Sequence, residues 1–455
     1  SKIFYFFFFF SRRRLSVALS LADERVMITK GAVEEMAEVC ASVLVNGEKV
    51  ALTPELIEQM KAVNIKMNQD GMRVITVAQK TIDSDTIRIS DENNLTILGF
   101  IGFLDPAKES AITAISSLHA HGVTVKVLTG DNAIVAQKVC ADVGIDAEHY
   151  LLGSDIDGMS DAELTEQAEN LHLFAKLNPM QKERVISLLK KKGHTVGFMG
   201  DGINDAPSLR TADDGISVDT AADITKDAST IILLEKSLQV LEIGVQEGRS
   251  VFINMMKYIK ITLSSNFGNV FSILIASAFL PFLPMLSMQL FVQNLIYDIA
   301  QLAIPWDNVD QEEIEKPVTW NMKNLLHFTF LIGPVSSIFD VLTFILLYFG
   351  FHYNTVASQG AFQSGWFIVG LITQTLALHI LRTKKIPFIK SNASFPVWFA
   401  TTGVFVVGGI LSLTSIGHFF DLSLLPITYW MIFPFIIIGY LVTLQFAKMI
   451  YQKNT

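Results

Sequence analysis

The chain has 455 residues, half of them hydrophobic, and a mean hydropathy of +0.41, too apolar for an ordinary soluble protein and long enough for two or three domains. The apolar excess lies almost entirely after Gly248, which excludes a uniformly soluble molecule, and the net charge of −9 comes mainly from the front half, so nothing in the balance argues for a nucleic-acid partner. The two cysteines, Cys40 and Cys140, stand far apart in helix-like patterns, as reduced thiols of a cytosolic domain would, and a disulfide is not expected.

The opening SKIFYFFFFF runs directly into Ser11-Arg12-Arg13-Arg14. A secretory signal places its positive charge before the apolar stretch and a small-residue cleavage site after it; here the order is reversed, and the stretch is too short to cross a bilayer. Without an initiator Met, this start reads as the ragged edge of a fragment. From Leu15 to about Leu104, SVALSL and RVMITKGA alternate as strands, PELIEQMKAVNIKMNQDG reads as an amphipathic helix closed by Gly71, and RVITVAQKTI is a further strand. The pattern predicts part of a small α+β module.

A second module follows. It opens on the strand-like ILGFIGFLD ending at Asp105-Pro106, continues with helix ESAITAISSLHAHG, strand VTVKVLTGD and helices NAIVAQKVCADVG and PMQKERVISLLKKKG, and closes with strands HTVGFMGDG and DGISV. Strands alternating with helices imply a Rossmann-like parallel sheet with ligands beyond the carboxyl ends of its strands. Thr129, Asp131, Asp201 and Asp205 all fall just past such ends. The predicted organisation is residues 1–100, 101–250 and 251–455, the last a membrane domain.

That placement carries chemistry. Moving a phosphoryl group requires its oxygens neutralised and its geometry fixed, so a site needs a hard cation, a fixed ammonium and hydroxyl or backbone donors. Asp201 and Asp205 put two carboxylates on one loop, suited to Mg²⁺, which takes few protein carboxylates and keeps waters and phosphate oxygens. Gly200 and Gly202 allow close backbone approach, Lys182 can pair with phosphoryl oxygens, and Thr129 with Gly130 can donate hydrogen bonds. Taken singly, the aspartates could equally cap a turn and Lys182 be a solvated helix lysine.

TGDN at Thr129–Asn132, the lysine of NPMQK, and GDGINDAP at Gly200–Pro207, in that order, resemble the later motifs of the haloacid-dehalogenase-like phosphorylation domain of P-type ATPases. The resemblance implies catalytic roles for Thr129, Gly130, Asp131, Lys182 and Asn204, with Asp201 and Asp205 on catalytic Mg²⁺. KGA at Lys30–Ala32 resembles the nucleotide-domain signature of that family, Asp105-Pro106 its interdomain hinge, and DGMR at Asp70–Arg73 the segment whose arginine meets the ATP phosphates. Phe10-Ser11-Arg12 resembles its adenine-stacking site, which adds Phe10 and Arg12 to Lys30 and Arg73 as implied ATP contacts. A DKTGT-like segment bearing the phosphorylated aspartate, a TGE-bearing actuator domain and four further membrane helices belong to the family and are not in this sequence. The resemblance therefore implies the C-terminal half of a longer pump, inactive without its N-terminal half.

The membrane half shows six apolar segments, at about Tyr258–Leu280, Leu286–Pro305, Leu325–Gly350, Gly365–Leu381, Val397–His418 and Ile427–Ala447. Lys316 and Lys323 lie in the link between the second and third, Arg382, Lys384, Lys385 and Lys390 between the fourth and fifth, and Lys448 and Lys453 in the tail, while the intervening links carry no Lys or Arg. Positive-inside bias puts these basic links, both ends of the bundle and the phosphoryl module in the cytoplasm, an even number that six spans satisfy.

Asn266 and Asn269, three apart, and Asn294 and Asp298, four apart, each share a helix face. A carboxylate near mid-membrane costs about 2.5–3.5 kcal/mol on insertion scales, so such residues are expected to face the bundle interior or an ion route; interhelical hydrogen bonding by the asparagines is the structural alternative. Asp340 is a further buried-looking carboxylate that sequence alone leaves between structure and function. SSNFGNV and VQNLIYD are similar to the ion-binding helices of cation-pumping P-type ATPases, and the longer run through QNLIYDIAQLAIPWD, with GPVSSIFD, is most similar to the bacterial magnesium-transporting type. That type implies ATP-driven Mg²⁺ import across the bacterial plasma membrane through an aspartyl phosphate. Two readings compete: a sibling pump for Ca²⁺, H⁺ or lipid, and a membrane-anchored phosphatase or nucleotide-binding protein. A phosphatase requires its own DxD, and Asp83-Ser84-Asp85 sits in a polar loop unsuited to that role.

Overall fold

The computed structural model describes residues 2–9, 14–21, 24–82, 89–104 and 106–453, and the chain divides into two compact units, 1–242 and 243–455. The first unit opens with a seven-stranded sheet. Strands β1 (Lys2–Phe9), β2 (Arg14–Leu21) and β3 (Glu24–Gly31) lead into helix α1 (Val33–Ala37), strands β4 (Cys40–Val45) and β5 (Glu48–Ala51), helix α2 (Pro54–Gln69), and strands β6 (Met72–Thr81) and β7 (Leu95–Leu104). The sheet order is β1-β2-β3-β6-β7-β4-β5. Helix α2 starts where Thr53 accepts from the Leu56 N–H and Pro54 occupies the first turn, and it ends at Gly71, whose φ of +83° turns the chain into β6. Met27, Ala78, Leu95 and Ile97 on the sheet bury Val33 and Met36 of α1 and Met60 of α2.

Two expectations change here. The strand predicted to open the second module is β7, and it pairs antiparallel with β6 from Met72↔Leu104 to Gln79↔Thr96, so a boundary at residue 100 would cut it. Alternation alone cannot tell which sheet a strand joins. Cys40, predicted in a helix, begins β4. Cys40 and Cys140 are free, as expected, and burial pushes both thiols up to about 11.

The rest of the first unit is built on parallel strands. Its elements run α3 (Glu109–Ala120), β8 (Val127–Leu128), α4 (Ala133–Asp142), β9 (Tyr150–Leu152), α5 (Gly153–Gly158), α6 (Asp161–Asn170), β10 (Leu173–Ala175), α7 (Pro179–Lys191), β11 (Gly197–Met199), α8 (Ala206–Thr211), β12 (Asp214–Val218), α9 (Asp223–Asp227) and β13 (Ile231–Leu233). They form two parallel sheets, ordered β8-β10-β9 and β11-β12-β13. Strand β10 is fully buried, whereas β8 and β11, each at an edge of its sheet, are half-buried or exposed.

The second unit is helical. Helix α10 (Leu238–Phe279) starts within the first unit and supplies the second with most of its 42 residues, about 63 Å of helix. It is followed by α11 (Ser287–Gln301), α12 (Gln311–Ile314), α13 (Met322–Ile345), α14 (Gln359–Leu381), α15 (Phe395–Leu413) and α16 (Ile427–Lys453). Among the described residues, five helices are long and apolar enough to cross a membrane, against the six predicted. The difference is α11, whose 15 residues give about 22 Å before a 3₁₀ turn at Ile304–Trp306 that contains Pro305.

Small residues let the helices approach. A Cβ on Gly268 of α10 would lie 2.1 Å from Ser336 Oγ and 2.8 Å from the Gly333 carbonyl oxygen of α13, and Ser337 Oγ donates to the Gly268 carbonyl at 3.0 Å. Helix α14 is the most enclosed of the five. Where the helices end, Asp307 is buried with Arg382 Nε at 2.7 Å and Lys257 Nζ at 3.5 Å, and it accepts from the Ser394 N–H at 3.1 Å.

Candidate functional site

Thr129, Gly130 and Asp131 form the turn after β8. Asn132 caps α4 by accepting from the Ile134 N–H at 2.9 Å, and the loop leaving β10 closes over the turn: the Leu177 N–H donates to the Thr129 carbonyl and the Lys176 N–H to that of Asp131, both at 3.0 Å. Lys176 adopts φ +53°, a conformation uncommon for residues with a side chain. A Cβ on Gly130 would lie 3.4 Å from the Leu177 carbonyl oxygen. Asp131 Oδ2 accepts from Thr129 Oγ1 at 3.1 Å and from Arg73 Nη2 at 2.6 Å, so the first strand residues after α2 reach the turn after β8.

From Leu177 the chain passes directly into α7. Asn178 and Gln181 cap it reciprocally, each bond 2.9 Å, with Pro179 in the first turn. This holds Lys182, one residue on, with its Nζ 2.8 Å from Asp205 Oδ1; both side chains are only 14% exposed. Asp205 closes the 3₁₀ turn Ile203–Asp205 that leads into α8. Its side chain folds back over Gly200, where a Cβ would stand 2.7 Å from Asp205 Cβ and 2.8 Å from Oδ2. Gly200 is therefore demanded by close approach rather than by its backbone angles.

Asp201 points elsewhere. Its Oδ2 accepts from Lys236 Nζ at 2.6 Å, both side chains being more than half exposed, and the Lys236 carbonyl accepts from Lys108 Nζ at 3.0 Å. Lys236 stands two residues before α10. Asn204 is exposed on the same 3₁₀ turn. Two carboxylates on one loop and a backbone cleared of Cβ atoms at Gly200 offer oxygen ligands of the kind Mg²⁺ takes with phosphate oxygens completing its shell, each carboxylate here being held by a lysine instead, Asp205 by Lys182 and Asp201 by Lys236. Among the described residues no cluster of three or more His, Cys, Asp or Glu side chains offers an all-protein metal cage.

Lys30 lies exposed on β3 opposite Val77 of β6. Strand alternation puts Arg73 on the same face of the sheet, about 14 Å along β6 from that position. Leu15, Ile75, Ile101 and Phe103 share the face, half-buried or exposed. Phe10, Arg12, Asp105, Asp83 and Asp85 lie outside the described residues.

In the helical unit the polar residues divide. Asn269 of α10 is half-buried, and its Oδ1 accepts from Gln374 Nε2 of α14 at 2.7 Å. Asn266, Asn294 and Asp298 are exposed, against the expectation that they face the bundle interior. The reason is visible on α11: Gln289, Gln293, Tyr297 and Gln301 fill its buried face, with Gln293 Nε2 donating to the Phe367 carbonyl at 3.0 Å, which turns Asn294 and Asp298 outward. Asp340 is buried against Ser272 and Trp366. Sequence reasoning missed Lys236 and Gln374. Gln374 carried a usable signal, a carboxamide inside an apolar span, the same signal that singled out Asn266; Lys236 carried none.

Residues 1–110 match the family model for the P-type ATPase cytoplasmic domain N, and residues 282–450 match the model for the C-terminus of cation transporting ATPases. The chain is 51% identical over 447 residues to the magnesium-transporting ATPase, P-type 1, of Escherichia coli K12, covering 97% of this chain and 50% of that protein. Against the protein of the same name in Salmonella typhimurium LT2 it is 51% identical over 448 residues, covering 97% and 49%. A calcium-transporting ATPase of Listeria monocytogenes is 30% identical over 310 residues, covering 67% and 35%. The chain thus spans about half the length of the curated magnesium-transporting relatives it matches.

Proposed function

The chain belongs to the P-type ATPases, and on that premise we propose that it is the C-terminal half of a pump that couples ATP hydrolysis to Mg²⁺ import across the bacterial plasma membrane. The parallel-stranded part of the first unit is its haloacid-dehalogenase-like phosphorylation domain, and the seven-stranded sheet belongs to its nucleotide domain. The phosphorylated aspartate, the actuator domain and four membrane helices belong to the half of the pump that this sequence does not span. The observation that carries the reading is the 2.8 Å contact between Lys182 and Asp205, reached through one loop from Thr129.

Asp201 and Asp205 would hold the catalytic Mg²⁺, which when bound neutralises phosphate oxygens. Lys182 supplies an ammonium, Thr129 a hydroxyl and Gly130 a backbone N–H to the oxygens of the transferred group, fixed before reaction so that no reorganisation is needed as charge develops. Asp131 orients Thr129 and meets Arg73, and Asn204, exposed on the acidic loop, would add a carboxamide contact to the same group. Lys30 and Arg73 flank the half-exposed apolar face that would hold ATP, and Phe10 and Arg12, outside the described residues, complete the implied ATP contacts.

Asn266, Asn269, Asn294 and Asp298 line the ion route, and Mg²⁺, which dehydrates reluctantly, suits a carboxamide-rich site that takes it partly hydrated. Lipid contact would cost Asp298 about 2.5–3.5 kcal/mol, so helices of the other half cover that face of α11. Helix α11 with its 3₁₀ extension is the sixth crossing, which leaves the basic links and the first unit in the cytoplasm. A calcium pump is less well supported, because the Asn269–Gln374 contact carries no charge where a dehydrated Ca²⁺ shell takes several carboxylates.

The test is ATP-dependent Mg²⁺ uptake into vesicles carrying the whole pump. Asp205→Asn stops uptake together with phosphate turnover, and Asn266→Ala, Asn269→Ala and Asp298→Ala each weaken uptake. If those three leave magnesium uptake unchanged, the route is misassigned.

A further inference from the structure

Asp340 stands inside the helical unit, 4% exposed, where α10, α13 and α14 meet. Its Oδ2 lies 2.6 Å from Ser272 Oγ of α10 and its Oδ1 accepts from Trp366 Nε1 of α14 at 2.9 Å. Both partners are neutral. Phe344, Leu347 and Phe362 belong with Trp366 to the apolar cluster beside it. The charged residues of the neighbouring helices are remote: Lys260 on α10 is twelve residues from Ser272 and His379 on α14 thirteen from Trp366, each about 18–20 Å along its helix. Helix α16 contributes the phenol of Tyr440, whose ring packs on Phe339 with centroids 5.6 Å apart, and Asp298 of α11 is exposed.

We infer that this three-helix junction is a proton-binding site, with Asp340 held as a neutral carboxylic acid. Ser272 has one hydroxyl hydrogen and two acceptors in reach, Asp340 Oδ2 at 2.6 Å and the Gly268 carbonyl at 2.9 Å. With a proton on Oδ2 the bonds run in one direction: Trp366 N–H to Oδ1, Oδ2–H to Ser272 Oγ, and the Ser272 hydrogen to the Gly268 carbonyl. No charge remains at this junction. Without that proton a full negative charge is left against two neutral donors in an apolar surround, the arrangement that burial penalises most. Ser272 follows Asn269 by three residues on one face of α10. A neutral Asp340 therefore leaves the Asn269–Gln374 contact free of a neighbouring carboxylate, and the charge of the proposed route rests on Asp298.

The inference depends on the bundle lying in a bilayer and not on which ion the pump carries, and its test reads no transport. Infrared difference spectra of the purified pump in lipid, with carbon-13-labelled aspartate at neutral pH, compare wild type with Asp340→Asn, Ser272→Ala and Trp366→Phe. The expected result is loss of one protonated-carboxyl C=O band in Asp340→Asn, and displacement of that band in the other two as each hydrogen bond is removed. A folded Asp340→Asn pump that loses carboxylate absorption instead overturns the inference. So does a protonated band that moves in neither Ser272→Ala nor Trp366→Phe, which keeps the test decisive should Asp340→Asn fail to fold.

Discussion

Lys182 Nζ and Asp205 Oδ1 are 2.8 Å apart in a setting that shields both from solvent. Removing the ammonium alone leaves a carboxylate largely out of water beside the place where phosphate oxygens are to bind. Loss of one preorganised charge at such a site typically slows the chemical step by about 10²–10³-fold. Lys182→Met in the whole pump is expected to lower phosphoenzyme formation from [γ-³²P]ATP by that order, with ATP binding nearly unchanged.

Gly200 makes a sharper case, because nothing about its backbone angles demands glycine. An added methyl would meet Asp205 Cβ at 2.7 Å. The Asp205 side chain must then leave its position over the loop, and its contact with Lys182 goes with it. Gly200→Ala is expected to cost at least tenfold in the apparent Mg²⁺ affinity of ATP hydrolysis, while Gly202→Ala, whose Cβ would stand 3.4 Å from Asp205 Oδ2, costs less. The two variants, titrated with Mg²⁺ side by side, check the order.

Lys236 competes with a cation for Asp201. The pair is exposed on both sides, so its contribution is at most about 1 kcal/mol, which corresponds to no more than about fivefold in an equilibrium. Lys236→Ala should therefore tighten apparent Mg²⁺ binding at the phosphoryl site by about two- to fivefold at low ionic strength. The difference should shrink as salt is raised, which separates direct competition from a folding defect.

How much of this was legible in the residues depends on the kind of interaction. Helix α7 was readable because Asn178, Pro179 and Gln181 are local signals that act within one turn, and α2 because Thr53, Pro54 and Gly71 bracket it. The sheet to which β7 belongs was not, because pairing with β6 is a tertiary choice between two sheets that the same alternating pattern would satisfy. Helix α11 was overextended for a related reason: hydropathy runs on through Pro305, but the helix stops at Gln301 and the chain tightens into a 3₁₀ turn. The outward direction of Asn294 and Asp298 was hidden because periodicity shows that two residues share a face and is silent on which face packs. Lys236 reached the acidic loop through a contact spanning thirty-five positions, with no motif around it.

Asp213, on the chain leading into β12 and bonded to Val196 just before β11, ties part of the first unit to pH. The Val196 N–H, 2.9 Å from Oδ2, holds its carboxyl below the ordinary 3.8; partial burial pulls upward, and Lys190 Nζ at 3.1 Å lowers it further. Because the folded value is the lower one, the stabilisation is complete above 3.8 and fades as pH falls through the folded value. The side chain is partly exposed, so the effect is under about 1 kcal/mol. Hydrogen exchange at the Val196 amide, corrected for intrinsic rate, should show weaker protection in Asp213→Asn than in wild type near neutrality, with the two converging in strong acid.

Asn269 and Gln374 give the membrane half its most specific prediction. Gln374 Nε2 donates to Asn269 Oδ1, and Gln374 Oε1 is buried with no hydrogen-bond partner among the described residues, an acceptor of the kind a hard cation or its hydration shell would use. If both carboxamides serve the transported ion, Asn269→Ala and Gln374→Ala each raise the Mg²⁺ concentration for half-maximal uptake by about tenfold, a single charge-assisted contact being worth about 1.5–3 kcal/mol. The double variant should fall well short of a hundredfold, because residues in contact are not additive. Gln374→Glu separates a ligand from interhelical glue: it preserves an acceptor toward the cation while losing the amide donor to Asn269. Half-saturation near the wild-type concentration or below it supports a ligand role, and a loss equal to that of Gln374→Ala assigns the pair to helix packing alone.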